Sequence, residues 1–192
     1  MTTTERIERI SNAITSILDV LEVEEQEVKE NTPKRVAEAY MEMLSGYQDN
    51  PEQILGKQFI ESISGMLVQG PISFTSLCKH HLLPFEGVAF LSYIAKGGKV
   101  VGLSKLSRLT YCFARRLQLQ ELMTAQIADS IEKYLSPDVA VLTISTHGCM
   151  KCRGVLNHSP SSWAELRGAY YVQAKEEFFK RVELNWKFSD RG

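Results

Sequence analysis

Apolar residues near the start of the chain recur with the period of an α-helix. They lie at steps of three and four along one face: Ile7, Ile10, Ile14, Ile17, Leu18 and Leu21. Acidic residues dominate from Glu22 to Glu30, which indicates a solvated turn. Asn31-Thr32-Pro33 is typical of a helix start, because a polar side chain caps a helix and proline suits its first position. This second helix is expected to run to about Leu44, within an N-terminal helical segment of residues 1–50.

Further along, the pattern changes to short runs rich in β-branched and aromatic residues, which predict strands. Runs of this kind lie at residues 59–64, 88–94, 139–146 and 168–172. The dipeptides Gly70-Pro71 and Gly97-Gly98 follow the first two runs and are expected to end strands there. Residues 104–134 are expected to be helical, in two pieces joined around Leu117. The order predicts an α+β domain over residues 51–192, with strand pairs flanking an inserted pair of helices.

The composition is that of an ordinary globular protein, with 44% hydrophobic and 23% charged residues in a chain of 192. The formal net charge of −1 gives no electrostatic reason to expect nucleic acid or a membrane surface as a partner. No run approaches the roughly 20 apolar residues needed to span a bilayer, and the N-terminus lacks the apolar stretch of a signal peptide. A cytoplasmic location is therefore expected, and cysteine thiols stay reduced there.

Two short segments hold three of the four cysteines and three of the four histidines: Cys78-Lys79-His80-His81 and His147-Gly148-Cys149-Met150-Lys151-Cys152. Thiolate and imidazole together form the ligand set that Zn²⁺ prefers. The spacing leaves two geometries open. A site built from Cys78, His81, Cys149 and Cys152 would be closed and structural. A site with three protein ligands would keep a fourth position for water or substrate.

Seven blocks of the sequence form an ordered set: TPKRVA from residue 32, SGY from 45, FTSLC from 74, HHLLPFEG from 80, GLSKLSR from 102, QLQE from 118, and HGC from 147 with RG at 153. In this order and spacing they resemble GTP cyclohydrolase I across almost the whole chain. The resemblance implies the tunnelling fold, assembled as a ring-shaped homodecamer of two pentamers with active sites at subunit boundaries. It also implies an open Zn²⁺ site held by Cys78, His81 and Cys149, with Cys152 outside it.

The same resemblance implies a reaction, in which GTP and water give 7,8-dihydroneopterin triphosphate and formate. His80 and His147 match the family's acid–base pair, and an imidazole suits the protonation of purine N7 because its pKa lies near the working pH. Gln120 and Glu121 match the anchor of the guanine base. The remaining matches are residues that contact the polyphosphate: Ser104, Lys105, Arg108, Arg153 and Arg35. Ser104 is also counted among the catalytic residues.

Several positions depart from the family pattern. Lys79 stands where the family has glutamate, Glu38 stands where it commonly has lysine, and residues 158–166 replace a threonine-rich run. The two charge reversals have opposite signs. They either preserve an ion pair or adapt the phosphate end of the pocket to a different nucleotide or a shorter phosphate chain. Two alternatives follow: a paralogous purine-nucleotide cyclohydrolase with another substrate or product, and a catalytically silent zinc-binding ring protein.

Overall fold

The computed structural model of the chain describes residues 1–189 and contains two compact units, Met1–Ser45 and a larger unit that begins at Gly46. In the first unit, α1 (Thr3–Val20) packs against α2 (Gln26–Met43). Thr2 and Glu5 cap α1 reciprocally, because each side chain accepts a hydrogen bond from the backbone N–H of the other residue. The predicted N-terminal helix is thus confirmed.

The second helix begins earlier than the sequence predicts. α2 starts at Gln26 and not at Asn31, and Pro33 lies buried inside it. Gln26 Nε2 donates to Glu30 at 2.6 Å, and Asn31 Nδ2 donates to the backbone carbonyl of Glu27 at 3.1 Å. Glu27 also suits a first turn, since a negative charge there interacts favourably with the helix dipole. Of the residues assigned to a turn, 26–30 therefore form helix and 22–25 lie between the two helices. The proline removes only one backbone hydrogen bond.

The larger unit carries all the strands of the described residues. Its helices are α3 (Pro51–Gly56), α4 (Leu103–Ala114), α5 (Gln120–Tyr134), α6 (Gly148–Lys151) and α7 (Lys175–Ser189). Its strands are β1 (Gln58–Ile60), β2 (Gly65–Cys78), β3 (Pro84–Ala95), β4 (Lys99–Val101), β5 (Leu117–Gln118), β6 (Val139–His147) and β7 (Ser161–Leu166). Within residues 1–189, no helix is both long enough and apolar enough to cross a membrane.

Five strands form one sheet in the order β5-β2-β3-β6-β7, and β1 pairs separately with β4. Neighbours in the large sheet are antiparallel except for β5 and β2. Alternate side chains point to opposite faces of the sheet. Leu91 and Val141 therefore join the core formed with α4 and α5, whereas Phe90 and Leu142 join the core formed with α7. The α+β organisation, with a helical pair inserted between strand pairs, is confirmed.

The dipeptide Gly70-Pro71 does not end a strand as predicted. β2 runs through it, and the register against β3 shifts between Gln69 and Ile72. The shift accommodates a proline, which has no N–H to donate to the neighbouring strand. Glycine is needed beside it, because a Cβ at Gly70 would lie 2.5 Å from the ring of Phe90.

The last strand also differs from the prediction. Residues 168–172 do not form it, and Gly168–Tyr171 is instead a 3₁₀ turn. The strand is β7, which pairs antiparallel with β6 along the serine-rich run that precedes the turn. Tyr170 is fully buried and packs edge-on against Phe178 of α7, so this one side chain anchors the turn to the core, whereas Tyr171 and Val172 are exposed.

Candidate active site

Several strand ends meet at one edge of the large sheet. β2 ends at Cys78, which pairs with Gln118 of β5, and β6 ends at His147, which pairs with Phe85 of β3. The helices α5 and α6 begin next to these strand ends. The two segments that carry thiols and imidazoles are far apart in sequence, and the sheet places them side by side.

The turn after β2 displays His80 and His81. The N–H of Cys78 donates to the carbonyl of Leu83 at 2.9 Å, and the N–H of Leu82 donates to the carbonyl of Cys78 at 2.9 Å. Leu82 adopts a left-handed conformation, with φ of 54°, which helps to reverse the chain within a few residues. The three-residue spacing between Cys78 and His81 therefore becomes one tight turn that brings the thiol and the imidazole together.

Cys78, His81 and Cys149 bring three metal-binding atoms together, all within 4.8 Å of one another. Cys78 Sγ lies 3.7 Å from His81 Nδ1. A sulfur about 2.3 Å and a nitrogen about 2.0 Å from a tetrahedral Zn²⁺ would stand roughly 3.6 Å apart. The residues therefore fit a zinc ion. Because Cys78 is buried and His81 is exposed, the fourth coordination position can open toward solvent.

Electrostatics also favour a cation at this point. Burial raises the pKa of Cys149, and the neighbouring Cys78 raises it further. Two thiolates this close repel each other unless a positive charge lies between them, and a divalent metal ion supplies that charge. Arg153 lies at the outer edge of the site, where its guanidinium donates to His81 Nε2 at 2.6 Å.

Cys152 stands outside the group of three ligand atoms found among the described residues. Its exposed thiol donates to the carbonyl of Gly148 at 2.9 Å, back along the short helix α6. The backbone of Gly148 lies so close to β3 that a Cβ at this position would be 2.4 Å from the carbonyl oxygen of Pro84. This close approach fixes where α6 begins. As a result Cys149, and not Cys152, stands next to Cys78.

His147 is held in one orientation at the end of β6. Its ring stacks on that of Phe85, with the ring centres 4.9 Å apart. Burial lowers the pKa of His147, although the carboxylate of Glu121 acts in the opposite direction. Its Nε2 faces three oxygens: Gln120 Oε1 at 3.1 Å, Ser145 Oγ at 3.1 Å and Ser161 Oγ at 3.2 Å. The site therefore favours a neutral imidazole with a fixed direction.

The side chain of Gln120 is buried and turned into the protein. Its Nε2 donates to the backbone carbonyls of Thr143 at 3.1 Å and Ser161 at 3.2 Å. Carbonyl oxygens only accept hydrogen bonds, so the amide nitrogen must face them and Oε1 must face His147. Since Oε1 also only accepts, His147 carries a hydrogen on Nε2. The resemblance assigns Gln120 to the guanine base, but in the structure its amide is engaged with the protein.

A cavity of about 300 Å³ opens beside the metal-binding atoms. Residues with reactive or polar side chains line it: His80, His81, Glu121, His147, Cys149 and Ser161. His80 stands close to His81, with 6.2 Å between the ring centres. Glu121 is exposed, so its carboxylate remains available to a ligand. The predicted ligands and both predicted acid–base histidines therefore share one cavity.

Four of the predicted site residues lie elsewhere. Ser104, Lys105 and Arg108 are on the first two turns of α4 and do not line this cavity. Arg35 is on α2 in the N-terminal unit, where it pairs with Glu27 at 2.9 Å. Among the described residues that line the cavity there is no lysine or arginine. A single chain therefore brings the metal ligands and histidines together without most of the predicted phosphate contacts.

Three residues at the site were missed from the sequence: Phe85, Ser145 and Ser161. Phe85 and Ser161 come close to His147 through strand pairing, and Ser145 lies two residues before His147 on the same face of β6. The only signal for Ser161 is that it lies in the run that departs from the family pattern.

The charge reversal at Glu38 has a local partner. Lys34 Nζ lies 3.8 Å from the Glu38 carboxylate, one turn away on α2, and both side chains are exposed. An exposed ion pair of this kind adds little stability, but the positive charge of Lys34 partly neutralises the negative charge of Glu38.

Comparison with known proteins finds relatives over most of the chain. The family model for GTP cyclohydrolase I matches residues 10–183. A protein named GTP cyclohydrolase 1 from Hyperthermus butylicus is 46% identical over 162 residues, which cover 83% of this chain and 81% of that protein. Proteins of the same name from Brucella suis and Brucella abortus are each 47% identical over 135 residues, or 68% of this chain. Those matches span 62% of the Brucella proteins' own length.

Proposed function

The chain belongs to the GTP cyclohydrolase I family of hydrolases, and from that premise we propose that it is a zinc-dependent GTP cyclohydrolase I. It would convert GTP and water to 7,8-dihydroneopterin triphosphate and formate. One observation carries the proposal: a three-ligand metal site, two further histidines and an exposed carboxylate share one cavity. The reaction needs these groups, because it attacks a ring carbon, moves protons at ring nitrogens and holds a guanine base.

Cys78, His81 and Cys149 would hold the zinc ion. When bound by three protein ligands, Zn²⁺ lowers the pKa of a water in its fourth position to about 7 and so supplies a nucleophile at neutral pH. Coordination through His81 Nδ1 requires a hydrogen on Nε2, the nitrogen that now accepts from Arg153. Arg153 would then turn away from His81. Its positive charge suits it to bind the anionic substrate.

His147 and His80 would move protons during ring opening. Purine N7 needs a proton as C8 is attacked, and a neutral imidazole can relay it at physiological pH. Because Gln120 fixes the hydrogen of His147 on Nε2, we assign the proton exchange to Nδ1. His80, on the turn that carries His81, is the second acid–base group.

Glu121 would anchor the guanine base. A carboxylate can accept hydrogen bonds from N1–H and the exocyclic amino group of guanine together. Its exposure in the cavity leaves it free for this contact, whereas the buried amide of Gln120 is already engaged.

The triphosphate needs more positive charge than one chain places at the cavity. We propose that α4 of a second copy supplies Ser104, Lys105 and Arg108, as a site at a subunit boundary would allow. β5 and β7 lie at the edges of the sheet, where closure of a ring-shaped homodecamer could pair them between subunits. Arg35 would also come to the phosphates in this assembly. The enzyme would work in the cytoplasm without a nucleic-acid or membrane partner.

Incubation of the purified protein with GTP is expected to release formate and to yield a dihydropterin that becomes fluorescent on oxidation. Formate assay and chromatography with fluorescence detection measure the two products. GDP and guanosine serve as comparison substrates, because Lys79 and Glu38 reverse charges of the family pattern. Turnover of GDP or guanosine in preference to GTP would support the paralogous cyclohydrolase instead. Failure with all three, in protein loaded with zinc, would contradict the proposed activity.

Replacement of His147 or His80 with alanine is expected to lower kcat for GTP by roughly 10²–10⁴-fold, the usual contribution of general acid–base groups. Zinc content and oligomeric state should stay unchanged, because neither residue belongs to the group of three ligand atoms. His158→Ala is the matched control, since this exposed histidine lies outside the cavity. Near-normal turnover in both site variants would remove the assigned roles.

A further inference from the structure

We propose that Ser161 is a positioning residue for His147. From the edge strand β7, its hydroxyl joins the Gln120 amide and the His147 imidazole into one hydrogen-bonded unit. The role rests on the proposed function, because it acts through the proton-transferring histidine of that reaction.

The direction of each hydrogen bond follows from what its partners can donate. Ser161 Oγ lies 2.6 Å from Gln120 Oε1 and 3.2 Å from His147 Nε2. The amide oxygen has no hydrogen to give, so the hydroxyl hydrogen of Ser161 points at it. A lone pair on the same Oγ is then left to face the N–H of His147. One hydroxyl therefore donates to Gln120 and accepts from His147.

Strand register brings these groups together. Ser161 of β7 stands opposite Ser145 of β6, and His147 follows Ser145 by two residues on the same face. A shift of one residue would turn Ser161 to the opposite face of the sheet. The pairing of β6 with β7 thus places the Ser161 hydroxyl next to His147. No local sequence motif predicts this contact.

Gln120 does not depend on the hydroxyl for its place in the fold. Its Nε2 is held by the backbone carbonyls of Thr143 and Ser161, and both would remain after truncation of the serine side chain. Ser161 itself is exposed on an edge strand, so its hydroxyl contributes little to the core. What its removal would change is the direction of the His147 ring, because Nε2 would lose one of the three oxygens that face it. A small misplacement of a catalytic group lowers the rate of the chemical step.

The test compares Ser161→Ala and Ser161→Thr in the full-length, zinc-loaded protein, with GTP as substrate. Ser161→Ala is expected to lower kcat about tenfold, the effect of losing one hydrogen bond of ordinary strength, with KM changed less than about twofold. Ser161→Thr keeps the hydroxyl and suits a strand, so it should restore kcat to near the wild-type value. Ser162→Ala is the matched control, because its exposed side chain points to the opposite face of β7. Thermal unfolding and zinc content should be equal in all four proteins.

Three results would overturn the positioning role. Ser161→Ala could turn over GTP as fast as Ser162→Ala, or KM could rise with kcat unchanged, which would make Ser161 a substrate contact. A loss of zinc or of thermal stability that accompanies the loss of rate would make the role structural. Each of these requires an active wild type, whereas a wild type without GTP turnover would instead remove the proposed function and this role with it.

Discussion

Replacement of Cys149 with alanine is expected to remove bound zinc and GTP turnover together. Cys78, His81 and Cys149 place their ligand atoms within 4.8 Å of one another, and the loss of one thiol leaves two ligands for the ion. Two ligands hold zinc poorly, and turnover without the metal should fall by more than about a hundredfold. Metal analysis of the purified protein gives zinc per chain, and formate release gives the rate. Cys78→Ala should behave in the same way.

Cys152→Ala provides the matched control, because it removes the same side chain three positions along the chain. The Cys152 thiol bonds to the carbonyl of Gly148 and stands outside the group of ligand atoms. Zinc content and turnover should therefore stay near the wild-type values. Zinc loss in Cys152→Ala as severe as in Cys149→Ala would show that the site is the closed structural one, in which Cys152 is the fourth ligand.

Regular hydrophobic periods could be recognised from the sequence, but element boundaries could not. α1 is predicted because its apolar residues repeat with a helical period, and β6 because it is a short run rich in β-branched residues. The start of α2 was missed because Pro33 is a strong local signal for a helix start. Side-chain hydrogen bonds near Gln26 and the burial of Pro33 within the first unit override that signal. The local conformational preference of a residue therefore predicts a helix boundary poorly where tertiary packing determines that boundary.

Spacing in the sequence predicts a metal site but leaves open whether Cys152 is a fourth ligand, and only the family resemblance selects Cys78, His81 and Cys149. Cys78 and His81 fall on one turn, and Cys149 follows directly after the most regular strand. Gln120 and Ser161 could not be understood in this way. They are 41 positions apart and meet only when β7 pairs with β6 and α5 packs beneath them. A family match identifies Gln120 as a site residue, but only the hydrogen bonds show that its amide faces His147.

Two inactive variants are expected to regain activity when they share an oligomer. The first is Cys149→Ala, which lacks a metal ligand, and the second is the double variant Lys105→Ala/Arg108→Ala, which lacks cations of α4. Those cations do not line the cavity of their own chain. If α4 of a neighbouring subunit completes each site, a mixed ring contains sites that draw an intact cavity from one variant and an intact α4 from the other. Random mixing in equal amounts should restore about one quarter of the wild-type sites.

Co-expression with two different affinity tags and sequential purification isolates the mixed oligomers, and GTP turnover per chain measures the recovery. The control pairs Cys149→Ala with Cys78→Ala. Both defects lie in the same cavity, so no combination of these subunits restores a complete site. Recovery in the first mixture alone would follow from a site shared between subunits, since neither variant can complete its own. No recovery in verified mixed oligomers would mean that the α4 cations act within their own chain or take no part in binding the triphosphate.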